Sequence, residues 1–385
     1  MLLNYILGAL ALLSVFLMLW QWVAGIQFPL HERVKAVGFA PGVTILKPLK
    51  GCDAETRACL QSWFEQDYAG PQQLLFGVAS KDDPVCDIVR ELIEAFPKAD
   101  AQLVICDASL GPNAKVSSLI QLEAVARHEI LVISDADVRV PKDLLKNAVA
   151  PLGDSAVGLV NCFYRFANPT TLAMRWEAIA VNADFWSQVL QSQTLKPIDF
   201  ALGAVMSVSR SPLKAVGGFE TLVEYLADDY QLGNRIAKSG KKIVLCPVVV
   251  ECWETPRGWG PIWIHQLRWA RTIRICQPVP FFFSILSNAT LWPLLFFISL
   301  LCTTSVPAKF LVVPLLLSLP VRMFSALKLE EKLTRNESHY LYAWMIPVKD
   351  LLNAVIWACA FFGNTVEWRG ERFKVLPGGK LKKQR

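Results

Sequence analysis

The chain has 385 residues, 53% of them apolar, and carries a formal net charge of +6. That apolar share is too high for an ordinary soluble domain and points to membrane-embedded segments. The positive charge suits a membrane surface, and the absence of an arginine-rich stripe or nucleic-acid module argues against a nucleic-acid partner.

Residues 2–26, LLNYILGALALLSVFLMLWQWVAGI, contain no charge and are long enough for one helical crossing. The stretch lacks a basic start and outruns a typical signal-peptide core, so a retained anchor is expected. Arg33, Lys35, Lys47 and Lys50 follow closely. By the positive-inside rule, residues 33–277 then face the cytosol.

From Val43 the pattern predicts strand 43–49, helix 55–66, strand 73–79, helix 85–96, strand 101–107, helix 115–126 and strand 129–135. Apolar β-branched runs separated by helical patterns imply an α/β fold whose mostly parallel sheet has helices on both faces. In such sheets ligands bind beyond the carboxyl ends of the strands. Asp83 follows the second strand, and Asp135 and Asp137, in SDADVR, follow the fourth. An Asp-any-Asp turn is often only a polar strand end. At the mouth of a nucleotide-sized crevice it can instead bind a diphosphate through Mg2+ or Mn2+. Neither a GxGxxG nor a P-loop motif occurs.

Residues 171–190 are helical by pattern, as core packing or as a lining for lipid access. In EYLADDYQLG (224–233), Asp228 and Asp229 begin a helix, either as a favourable charge at its amino end or as a general base. In RGWGPIWIHQLRWARTIRI (257–275), three tryptophans alternate with arginines, the composition of a helix lying among headgroups. Arg268 suits a diphosphate, and Trp269 either packs beneath it or anchors the interface.

Residues 278–302 read as a spanning helix and 310–324 as a shorter one. The third stretch, 342–363, contains Lys349 and Asp350, either neutralised near the headgroups or functional. The tail from Arg369, with Lys380, Lys382, Lys383 and Arg385, is basic, and three full crossings would put it on the wrong side. Ten cysteines without a CxxC pair argue against a zinc site or a disulfide framework.

The order Asp83, Asp135-Ala-Asp137, Ala-Asp-Asp229-Tyr, then Arg268-Trp269 resembles the membrane-bound inverting glycosyltransferases with a GT-A-type, Rossmann-like domain. ILKPLKGCD (45–53), DDPVCDIV (82–89), GPNAKVSSL (111–119), GLVNCFYR (158–165) and LADDYQLG narrow it to glycosyltransferase family 21, the ceramide glucosyltransferases. The related bacterial hopanoid glycosyltransferases share the layout, and HQLRWART is especially similar to theirs. The resemblance implies that Asp83 helps hold uridine, Asp135 is the metal-linked carboxylate with Asp137 beside it, and Asp229 is the catalytic base. Asn113 and Lys115 match a loop near the donor, where a simple helix start is the alternative. Arg268 and Trp269 match the end of the Q/RxxRW motif. His265 departs from it, standing where glutamine or arginine is usual, and remains able to donate to phosphate.

The resemblance thus implies transfer of one hexose, glucose, from a UDP-sugar to a lipid hydroxyl, ceramide or alternatively a hopanoid, in a membrane. A processive polysaccharide synthase and a non-enzymatic scaffold are the rival classes. The expected organisation is an anchor over 1–30, a cytosolic transferase domain over 40–255, an interfacial helix over 256–277, C-terminal transmembrane or re-entrant helices over 278–366 and a basic tail over 367–385. A bacterial inner membrane is favoured over a Golgi one.

Overall fold

A computed structural model describes residues 1–34, 38–303, 313–368 and 370–384. Lys35, Arg369, Arg385 and the first residues of the helix expected over 310–324 lie outside the described residues. The chain forms two compact units: a sheet unit of residues 29–168, 196–255 and 379–385, and a helical unit of 1–28, 169–195 and 256–378.

The sheet unit contains β1 (Val43–Leu49), β2 (Gln72–Val78), β3 (Asp100–Ile105), β4 (Ile130–Ser134), β5 (Val138–Arg139), β6 (Val157–Phe166), β7 (Val205–Ser209) and β8 (Lys242–Cys252). They join in the order β3-β2-β1-β4-β7-β6-β8-β5. β3, β2, β1 and β4 pair in parallel, as the strand and helix alternation predicts. β1 and β4 are buried along their whole length, which explains their near-continuous apolar runs.

Beyond β4 the sheet is mixed. β7 runs antiparallel to both β4 and β6, and β5 antiparallel to β8, while β6 and β8 are parallel. β7 is reached after the excursion of residues 169–195 into the other unit, not through a crossover helix, so nothing imposes parallel pairing there. Because β1, β2 and β4 are parallel, their carboxyl ends at Leu49, Val78 and Ser134 open on one edge, where the acidic turns follow.

In the helical unit, helix Leu2–Gln27 contains an 18-residue stretch with a mean hydropathy of 2.3 and leaves Leu2, Leu3, Tyr5, Ile6, Leu12 and Phe16 exposed. At about 1.5 Å per residue it is long enough to cross a bilayer core. Its Gln21 side chain donates to Ser187 Oγ at 2.7 Å, and Gln191 donates back to the Leu17 carbonyl at 2.9 Å. Ser187 and Gln191 belong to a helical run from Leu172 to Gln193 whose middle, Ala180–Phe185, is wound as a π-helix. That run is largely buried, with Trp176 and Trp186 at 1% and 0% exposure, as core packing requires.

The spanning helix expected over 278–302 is instead broken. Helices Pro278–Phe283 and Leu291–Thr303 meet through a short 3-10 turn at a bend of 55°. Asn288 causes the break locally: its Oδ1 accepts from the Leu291 N–H at 2.9 Å, starting a new helix, while its Nδ2 donates to the Asp350 carbonyl at 2.7 Å.

Lys349 and Asp350, on helix Met345–Ala360, are buried in an ion network. Arg322, on helix Val313–Thr334, donates to Asp184 Oδ2 and to Asp350 Oδ1, each at 2.8 Å. Lys349 pairs with both Asp184 and Asp350, and Thr290 donates to Asp350 Oδ2 at 2.6 Å. Two cations thus neutralise two anions drawn from three separate segments.

Candidate active site

Asp83 ties together the loops that leave β1 and β2. The Gly51 N–H donates to both of its carboxylate oxygens at 3.0 Å, and the Val85 N–H donates to Oδ1 at 3.0 Å. Gly51 has φ +68°, a left-handed value that glycine adopts without strain and that turns its N–H towards the carboxylate.

Lys47 lies beneath the turn after β4. Its Nζ donates to the Asp135 carbonyl and to Ser134 Oγ, the latter at 3.3 Å, and sits 5.0 Å from the Trp63 ring centroid. Complete burial pulls the ammonium down to about 8, against the raising influence of Cys59, Asp137 and Asp135. Asp137 is pushed up to about 6 by burial and then by the charge of Asp135.

Among the described residues no three His, Cys, Asp or Glu side chains converge on a point that could hold a metal. Two carboxylates from one turn are nevertheless a suitable oxygen donor set for Mg2+ or Mn2+, which commonly takes one or two protein carboxylates and completes its shell with substrate phosphates and water. Asp135, with 40% of its side chain exposed, is open to such a partner.

Lys115 brings the second acidic pair to the same edge. Its Nζ lies 2.8 Å from Asp135 Oδ1 and 3.2 Å from Asp228 Oδ2. Burial alone would lower its pKa, but the carboxylates of Asp135, Asp228 and Asp229 outweigh that and raise it. Asn113 is both a helix cap and a link. Its Oδ1 accepts from the Val116 N–H at 3.1 Å, while its Nδ2 donates to the Tyr225 carbonyl at 2.8 Å and reaches Asp228 Oδ1 at 3.5 Å.

Asp228 and Asp229 occupy the first turn of helix Asp228–Lys238. Asp229 is pushed up to about 6 by burial and then by Asp228, with Lys115 acting in the opposite direction. Its place depends on Gly203, where a Cβ would stand 2.7 Å from Asp229 Oδ2. Gly233 allows the same helix to approach the backbone, since a Cβ there would meet Ala201 N at 2.3 Å. The loop before Asp228 bonds to the carboxyl-terminal segment: the Leu381 N–H donates to the Glu224 carbonyl at 2.6 Å, and the Leu226 N–H to the Gly379 carbonyl at 3.2 Å.

His265, Arg268 and Trp269 lie on helix Trp259–Cys276 of the helical unit. His265 Nδ1 is 2.6 Å from Glu177 Oε1, Gln266 donates to the same oxygen at 2.9 Å, and Arg257 reaches Glu177 Oε2 at 3.1 Å. Glu177 is 1% exposed; burial would raise its pKa, but the hydrogen bond from His265 and the surrounding donors hold it below the usual range. Burial lowers the pKa of His265 despite Glu177. The imidazole centroid is 4.7 Å from that of Trp269. Arg271 donates to the Phe362 carbonyl at 2.8 Å and Arg274 to Asn364, so these two arginines serve the chain's own polar groups.

Asp83, Asn113, Lys115, Asp135, Asp137 and Asp229 thus belong to the sheet unit, where Lys115 links Asp135 to the Asp228–Asp229 pair. His265, Arg268 and Trp269 belong to the helical unit. Sequence reasoning missed Lys47, Glu177 and Gly203 as site residues. Only Lys47, a charge inside an apolar strand, carried a signal.

The glycosyl transferase family 21 profile matches residues 4–381. Ceramide glucosyltransferase 3 of Caenorhabditis elegans is 26% identical over 219 residues, covering 56% of this chain and 47% of that protein. The ceramide glucosyltransferase of Candida albicans is 37% identical over 122 residues, 29% of this chain and 22% of its own. The chain therefore spans about half the length of the first curated relatives that it matches. Among solved structures, the mannosyltransferase PcManGT of Pyrobaculum calidifontis, in complex with GDP-mannose and Mn2+, aligns with a TM-score of 0.55 at 22% identity, covering 91% of this chain and 98% of its own. That likeness shows a GT-A glycosyltransferase fold. The match across nearly the whole length, over a mixed sheet with acidic turns at one edge, shows that the chain belongs to glycosyl transferase family 21.

Proposed function

We propose that the chain transfers one glucose from UDP-glucose to a hydroxyl of ceramide at a membrane surface, with inversion at the anomeric carbon. The observation that carries this reading is the linkage of the Asp135–Asp137 turn to the Asp228–Asp229 pair through buried Lys115. One acidic group is thereby available to the donor diphosphate through a cation. A second carboxyl, with its pKa raised to about 6, is available to remove a proton. The names of the relatives support donor and acceptor class, and the Mn2+ bound to PcManGT supports a divalent ion.

Asp135 and Asp137 would hold Mg2+ or Mn2+, which offsets charge growing on the departing diphosphate. Asp83 and its Gly51 turn receive the uridine, and Asn113 and Lys115 order the donor side. Arg268, whose planar guanidinium suits phosphate, adds positive charge at the leaving group, flanked by His265 and Trp269. Asp229 accepts the proton of the acceptor hydroxyl as that oxygen attacks the anomeric carbon. The bond from that carbon to the diphosphate oxygen breaks, UDP leaves with the electron pair, and an α-linked donor gives a β-glucoside. Helix Leu2–Gln27 anchors the chain with the sheet unit on the cytosolic side, in a bacterial inner membrane.

A hopanoid acceptor is the second reading, favoured by the HQLRWART motif with His265 in its first position. The test is a screen of UDP-glucose, UDP-N-acetylglucosamine and UDP-galactose against ceramide, diacylglycerol and hopanoid acceptors, read by mass spectrometry. Glucosylated ceramide is the expected product. Label on the hopanoid alone replaces the acceptor, a polymer ladder indicates a processive synthase, and no transfer to any lipid overturns the proposal.

A further inference from the structure

The chain leaves the sheet unit at Pro256 and returns to it at Gly379. The return is made through backbone pairing. Tyr225 and Lys380 form an antiparallel bridge, flanked by the bonds from Leu381 N–H to the Glu224 carbonyl and from Leu226 N–H to the Gly379 carbonyl. Gly378 and Gly379 have φ of +79° and +93°, so two glycines supply the left-handed turn that delivers the chain to this bridge. Leu381 is 7% exposed and Leu226 6%, so both ends of the bridge are anchored by burial. On its other side the same loop is held by Asn113, whose backbone N–H donates to the Val223 carbonyl at 2.9 Å and whose Nδ2 donates to the Tyr225 carbonyl at 2.8 Å. The loop clamped between these two elements leads directly into Asp228 and Asp229.

We propose that Gly379–Leu381 is a strap that holds loop 223–226 and thereby positions Asp229, and that this segment lies on the same face of the membrane as the sheet unit. The second statement follows from the first, because a bilayer cannot separate residues that share backbone hydrogen bonds. Any crossings between Pro256 and Gly378 must then be even in number. This removes the conflict between a basic tail on the cytosolic side and three apolar stretches before it, and the 55° bend within 278–303 allows a segment that enters and leaves by one face. The positioning part rests on the proposed role of Asp229; the sidedness part does not.

The test has two arms on the full chain. For sidedness, one added cysteine at a time, at Lys98, exposed in the sheet unit, or at Lys383, is introduced where exposed Cys52 and Cys302 and half-buried Cys276 and Cys359 have been replaced by serine, leaving only buried thiols, then treated with a membrane-impermeant maleimide in sealed vesicles. Both are expected to react from the same side, and reaction from opposite sides overturns the proposal. For positioning, Leu381→Pro deletes the N–H that bonds to Glu224. A fall in kcat of about 10²-fold, the scale of a reacting group misplaced by an ångström, is expected with donor KM changed less than about threefold. Wild-type kcat in that variant overturns the strap. If Leu381→Pro no longer binds UDP, Gly379→Ala, which strains the turn but keeps every hydrogen-bonding group, is read the same way. Wild-type protein without transferase activity refutes the functional reading and leaves the labelling arm to judge the strap.

Discussion

Lys115 and Asp135 form a 2.8 Å ion pair in which the lysine side chain is only 8% exposed. The same ammonium reaches Asp228, 9% exposed, at 3.2 Å. Replacing Lys115 by Met strands a buried carboxylate, a change that costs about 3–5 kcal/mol. Thermal unfolding of K115M should show that loss, and the second change D228N should restore part of it. Equal melting temperatures for K115M and wild type would contradict the pairing.

Asp229→Asn keeps the shape of the side chain and removes its basicity. Turnover is expected to fall about 10² to 10⁴-fold, the usual range for a general base, while UDP binding measured by calorimetry persists. The pKa raised to about 6 sets the pH dependence. Only the carboxylate can accept a proton, so kcat/KM rises as pH increases through about 6 and levels above it. A pH-independent rate between 5 and 7, with chemistry limiting, would speak against this base.

Gly203→Ala tests geometry without touching a charge. The added Cβ would fall 2.7 Å from Asp229 Oδ2, so the carboxylate must move. Activity should drop by about 10-fold or more in a protein that still folds, because a displaced reacting group loses its alignment. Full activity in G203A would mean that Asp229 has freedom the packing denies it.

Chelation with EDTA should abolish transfer, and added Mn2+ or Mg2+ should restore it. Asp135→Asn should shift the metal titration to higher concentration. An Asp135→Asn enzyme with an unaltered metal requirement would remove that residue from the metal site.

Glu177 receives donors from His265, Gln266 and Arg257 while 1% exposed. Glu177→Gln weakens charge-assisted bonds worth about 1.5–3 kcal/mol each and leaves one donor facing another. Lower melting temperature is expected, and unaltered stability would deny the cluster its structural weight.

The sequence made the first half of the sheet legible because β1, β2 and β4 are short apolar runs buried almost throughout, and helical patterns separate β1 to β4, the signature of parallel strands covered on both faces. The antiparallel β7 escaped because strand direction is set by a long excursion into another unit, which no local pattern encodes. Asp83, Asp135 and Asp229 were visible as acidic turns at strand or helix ends. Glu177 was not, since a glutamate within an apolar helical stretch looks like any solvated residue until His265 and Arg257 are found against it. The bend at Asn288 was hidden for a similar reason: hydropathy averages over a window, whereas one side chain that caps a helix and bonds Asp350 breaks it. Gly203 gave no signal at all, because its value is the space it leaves for Asp229.

The ion network of Asp184, Arg322, Lys349 and Asp350 constrains the order in which the protein can be made. Asp184 leaves the ribosome well before either of its cationic partners. Until residues 322 and 349 have been synthesised, the helical run around it must keep that carboxylate hydrated or shielded, because an unpaired charge in an apolar interior is too costly to retain. Final docking of residues 172–193 is therefore a late event in biogenesis, completed only after residue 349 has been translated.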